Sequence, residues 1–112
     1  MMSSQTKLRK IADALTSISG LSVYHHWRFG VDAPYCIWQE DADVGFQGDN
    51  HKGEQAITGT VDYFTLAEYD GNIDAIQIAL NNVENLSWAI NSVQYEEDTN
   101  LIHYEWRWYL YG

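Results

Sequence analysis

Positive charge is what this chain has least of. Six Lys and Arg stand against sixteen Asp and Glu, for a formal charge of -10. Affinity for nucleic acid rests largely on neutralising phosphates, so such a chain should repel a DNA or RNA backbone, and an anionic membrane surface with it. An acidic surface still suits a protein that lies beside DNA without holding it. Cysteine is nearly absent: the single Cys36 cannot close an internal disulfide, and its setting, Tyr35-Cys36-Ile37-Trp38, favours a buried and inert thiol. No apolar run approaches the ~20 residues of a membrane-spanning helix. The opening residues, Met1 to Lys7, lack the apolar stretch of a signal peptide, so a cytosolic chain is expected. Catalytic signatures are missing too: there is no Gly-rich phosphate loop, Ser nucleophile motif or paired-carboxylate motif. No enzymatic activity is expected.

What the chain does have is apolar and aromatic surface. Hydrophobic residues make up 46% of the 112 residues and aromatics 14%, which excludes disorder and allows one domain, 1–112, with one core. Five Trp and eight Tyr exceed what a core of this size readily absorbs, so part of them should lie on a surface that another chain covers.

The periodicities set an order of elements. Leu8, Ile11, Leu15 and Ile18 line one face of a first helix, with Ser4 or Thr6 as its cap and Gly20 as its stop. Leu21 to Phe29 reads as a strand, followed by a turn at Gly30, Asp32 and Pro34 and a second strand at Tyr35 to Gln39. Glu40 to Glu54 is acidic and contains Gly45, Gly48 and Gly53, the composition of a long loop or hairpin arm. Ala56 to Leu66 alternates as a third strand. Asn72 is placed to cap a second helix carrying Ile73, Ile76, Leu80 and Val83. Trp88 to Tyr95 and Leu101 to Tyr111 form a closing hairpin. In the last strand Ile102, Tyr104, Trp106, Trp108 and Leu110 make an apolar face, and His103, Glu105, Arg107 and Tyr109 a partly charged one. The result is an α+β domain of order αβββαββ, a twisted, mainly antiparallel sheet with two helices packed on one face.

Few residues are candidates for chemistry. His25 and His26 suggest a metal, but neighbours on a strand point to opposite faces, and no Cys or third His stands nearby at ligand spacing. One His near the core edge and one in solvent is the expectation, with no metal site. His103 and Glu105 share a face as an acid–base pair would, yet Arg107 continues the row and favours a cross-strand ion-pair ladder. That face, with His103, Glu105, Arg107 and Tyr109, is the candidate subunit interface. The acidic segment holding Glu40, Asp41, Asp43, Asp49 and Glu54 lacks the glycine placing and closing Glu of an EF-hand, so it is read as a solvated loop for docking or for lining a channel.

The order αβββαββ, the strand Thr60-Val61-Asp62-Tyr63-Phe64-Thr65 and the hairpin from Ser92-Val93-Gln94-Tyr95-Glu96 to Leu101-Ile102-His103-Tyr104-Glu105-Trp106 resemble the tail terminator proteins of tailed phages and prophages, also called tail completion or tail-to-head joining proteins. The resemblance spans nearly the whole chain. It implies a non-enzymatic subunit, without a cofactor, of a ring that is commonly six-fold. Such a ring caps the tail tube, meets the head–tail connector and lets DNA pass without tight binding. It further implies assembly in the bacterial cytoplasm and a place in the virion. A head completion protein or neck adaptor under the portal is the alternative in the same setting, and a small-ligand-binding α+β domain the alternative of another class.

Overall fold

A computed structural model describes residues 4–28, 30, 32–44 and 56–112. The chain runs α1 (Ser4–Thr16), β1 (Val23–His25), β2 (Tyr35–Val44), β3 (Ala56–Thr65), α2 (Gly71–Asn81), β4 (Leu86–Glu96) and β5 (Leu101–Tyr111). The expected order αβββαββ holds. The five strands form one open sheet of order β1-β2-β3-β5-β4, antiparallel except for the β1–β2 pair. Both helices pack on one face of it.

Register explains which side chains the helices cover. Trp38 pairs with Val61 and Val61 with Trp106, while Ile57 pairs with Leu110, so these share a face. Trp106 and Trp108 are fully buried there, in one cluster with Leu8, Ile11 and Leu15 of α1 and Ile76 and Leu80 of α2. Tyr104 is only partly buried at the edge of that cluster. Gly59 faces Trp108: a Cβ at this position would collide with the indole and with the carbonyl of Gln39 on the adjacent strand. Glycine is what allows the ring to lie flat on β3.

Several boundaries differ from the sequence reading. The acidic stretch does not begin as a loop, because β2 continues through Glu40, Asp41 and Asp43 to Val44, paired with β3 as far as Ala56. Pairing to a well-anchored neighbour overrides the poor strand propensity of acidic residues. Asp49 and Glu54 lie outside the described residues. The first strand is reduced to three residues. Helix α1 ends at Thr16, four residues before Gly20, and Ser4 and Thr6 lie within its first turn. The hydroxyl of Thr16 donates to the Ala12 carbonyl (2.8 Å) and that of Ser17 to the Ala14 carbonyl (2.6 Å), and these side chains take over the last turn. Gly20, at φ +78°, instead turns the chain toward β1.

The cap of α2 is Asp70, not Asn72. Its Oδ1 accepts the Asn72 amide (2.9 Å), and its Oδ2 accepts the hydroxyls of Tyr63 (2.6 Å) and Thr65 (2.7 Å) at the end of β3. Asn72 closes the set by donating its side-chain amide to the Tyr63 hydroxyl (2.9 Å). Burial opposes the charge on Asp70, but the Tyr63, Thr65 and Asn72 hydrogen bonds outweigh it and hold its pKa below the ordinary value. Burial and the same carboxylate push Tyr63 up to about 12.

Candidate functional site

The charged row of β5 lies on the face away from the helices, where each member has a partner inside the subunit. His103 Nε2 donates to Asp62 Oδ1 of β3 (2.7 Å). This hydrogen bond raises the His103 pKa against the effect of burial, and the charges of Asp62, Glu96 and Glu105 add to it. Glu105 accepts from the Asn91 side chain rather than pairing with His103. Arg107 Nη1 meets Asp41 Oδ2 at 3.1 Å, and Asp41 Oδ1 also accepts the Thr58 hydroxyl (2.6 Å). Tyr109 is exposed beyond them. The ion pairs run across strands, as the sequence reading of a cross-strand ladder expects, and they join Arg107 of the proposed interface to Asp41 of the proposed loop.

Two bulges supply two of these three partners, Asp41 and Asn91 beside Asp62. Register shifts between Glu40 and Ala42 on β2, and between Ile90 and Ser92 on β4. The extra residues are Asp41 and Asn91, and each aims its side chain at β5, as bulges commonly re-aim a side chain. Along the same face a row of rings crosses the sheet. Arg28 lies 4.7 Å from the Tyr35 ring centre, Tyr35 stacks on Phe64 at 4.8 Å, and Phe64 on His103 at 4.2 Å.

On the other face, the β4–β5 hairpin extends past the helices. Ile90, Val93 and Tyr95 of β4 are 49%, 52% and 60% exposed, on the same side as the buried Trp106 and Trp108. Beside them a groove runs between the hairpin and the start of α2, lined by Ile73, Val93, Tyr95, Ile102 and Tyr104, with Tyr69 exposed and Glu68 and Asp74 at its rim. The sequence held a signal for this surface. Apolar residues at 88, 90, 93 and 95 slip by one place between Ile90 and Val93, where the bulge falls.

His25 and His26 sit at the opposite edge of the sheet, and the expectation of opposite faces fails. Strand β1 ends at His25. His26 takes φ +74°, its amide donates to the Trp38 carbonyl (2.9 Å), and the Trp27 amide returns to the His25 carbonyl (3.0 Å). This tight turn brings the two imidazoles into a stack at 4.0 Å, with His25 also stacked on Trp38 at 3.9 Å. Glu40 Oε1 is 2.6 Å from His25 Nε2 and 3.5 Å from His26 Nε2. Burial works to raise the Glu40 pKa, but the His25 hydrogen bond, the residue's own backbone and the two imidazoles bring it below the ordinary value.

Cys36 is fully buried, and burial first, then the charge of Asp62, drives its thiol pKa far above the ordinary value. A thiol so buried is held in its protonated form, which disfavours it as a nucleophile. Among the described residues no helix is long and apolar enough to cross a membrane. No protein-family model and no curated protein matches this chain.

Proposed function

We propose that this chain is a structural subunit of tailed-phage or prophage morphogenesis, of the tail terminator or tail-to-head joining kind, and that it works by assembling into a ring. The observation that carries the reading is the uncovered side of the β4–β5 hairpin. Three large apolar side chains of β4 stand half exposed on the face that should be core, next to an exposed Tyr69. Contiguous apolar surface of this sort marks a surface that another chain covers. A ring contact is heterologous and joins two different patches, one per neighbour. The hairpin flank is one patch, and the opposite face, with His103, Glu105, Arg107 and Tyr109, is the second. A charge of -10 favours passage of DNA through such a ring without adhesion. In this reading the tail tube protein and the head–tail connector bind the two ends of the ring, and no catalysis is involved.

Sedimentation velocity and electron microscopy of the concentrated protein test the proposal. The expected result is a closed ring, lost on Val93→Glu without a change in melting temperature. A protein that remains monomeric, alone and with tail tubes, overturns it.

A further inference from the structure

We propose that His25, His26 and Glu40 form a binding site for a divalent transition-metal ion of the zinc, cobalt or nickel class. The two imidazole nitrogens and the carboxylate oxygen all lie within 4.8 Å of one another. In a tetrahedral site with bonds of about 2.0–2.2 Å, donor atoms stand about 3.3–3.5 Å apart. The 3.5 Å between Glu40 Oε1 and His26 Nε2 already meets that spacing. The 2.6 Å between Glu40 Oε1 and His25 Nε2 is a hydrogen-bonded separation, and it opens when a metal ion replaces the shared proton.

The backbone supplies a second, independent reason. A non-glycine residue in the left-handed region is uncommon, histidine being among the types that tolerate it best, and it persists where surrounding contacts enforce it. Here the φ of +74° at His26 is what turns two sequence neighbours toward one carboxylate. Trp38, stacked on His25, fixes one ring, while the His26 imidazole is exposed enough to swing its lone pair onto the same centre. Two nitrogens and one oxygen suit borderline metals better than calcium or magnesium, which take oxygen donors. The site lies at the β1 edge of the sheet, with His25 at the end of β1, His26 in the turn after it and Glu40 on β2, and its side chains are partly exposed, so the remaining coordination positions face solvent.

The test uses untagged protein titrated with Zn2+ by calorimetry and with Co2+ by its visible absorption. One ion per chain is expected, with a shift of the His25 and His26 imidazole resonances. His26→Ala and Glu40→Gln, both at exposed or half-exposed positions, should each weaken binding by roughly 10–100-fold or more, since even outer partners of a metal site cost that much. Their melting curves confirm the fold. His103→Asn removes the histidine of the other cluster, Asp62–His103–Glu105, and should leave affinity unchanged. Absence of stoichiometric binding overturns the proposal, and so does binding that survives both His26→Ala and Glu40→Gln.

Discussion

Gly59 and His103 show how much of this protein depends on single positions. Gly59→Ala sets a methyl group against the Trp108 ring and the Gln39 carbonyl, and a backbone carbonyl cannot rotate away. Its cost should exceed the ~1–3 kcal/mol of ordinary overpacking, read as a fall in the urea midpoint. A midpoint equal to that of the parent would mean that β2 and β3 can separate at no cost. For His103 the sign follows from its raised folded pKa. The His103–Asp62 bond adds stability that is fully present below the ordinary value of 6.5 and is lost as pH rises through the folded pKa. The unfolding free energy of the parent, less that of His103→Gln, should therefore decline with pH from about 6.5 upward. A flat difference would remove Asp62 as its partner. The burial of Trp106 and Trp108 was legible in the sequence, because their alternation with Glu105, Arg107 and Tyr109 admits one phase. The partner of His103 was not, because Asp62 lies 41 residues away and meets it only through the β3–β5 register.

Helix α2 and strand β2 carry the same contrast. The apolar spacing of α2 was plain, yet Asp70 and Asn72 are both good capping types, and local sequence does not choose between them. What chooses is Tyr63 and Thr65, which arrive from β3 and anchor Asp70. Asp70→Ala should cost about 2–4 kcal/mol, since a lost cap of ~0.5–2 kcal/mol is joined by buried hydroxyls left without an acceptor. Amide exchange in the first turn of α2 should rise more than in α1. Equal exchange in both helices would show that the cap is dispensable. Strand β2 was misread beyond Gln39 because a run of acidic residues resembles a loop. Its pairing with β3 and the Asp41–Arg107 contact are long-range facts. Both bulges left traces, an apolar slip at Ile90–Val93 and an acidic doublet at Glu40–Asp41, but neither trace names the strand it serves.

For the molecule as a whole, charge and exposed apolar surface set the expectations. With a charge of -10, the protein should not retard duplex DNA in a gel at physiological salt. A retarded band that vanishes only at high salt would contradict passage of DNA without adhesion. The order β1-β2-β3-β5-β4 bears on how the chain is made. The fifth strand in chain order is inserted between β3 and β4, and it supplies Trp106 and Trp108 to the core. Until Leu101–Tyr111 is in place, β3 and β4 have no common neighbour, and the helices can close only on the β2–β3 part of the core, without Trp106 and Trp108. The sheet therefore cannot close before β5 is made, and a chain without it holds β3 and β4 with unpaired edges, the condition in which chains cross-pair with each other. Whatever keeps such chains apart, a chaperone or plain dilution, is needed only until the eleventh residue of β5 is in place.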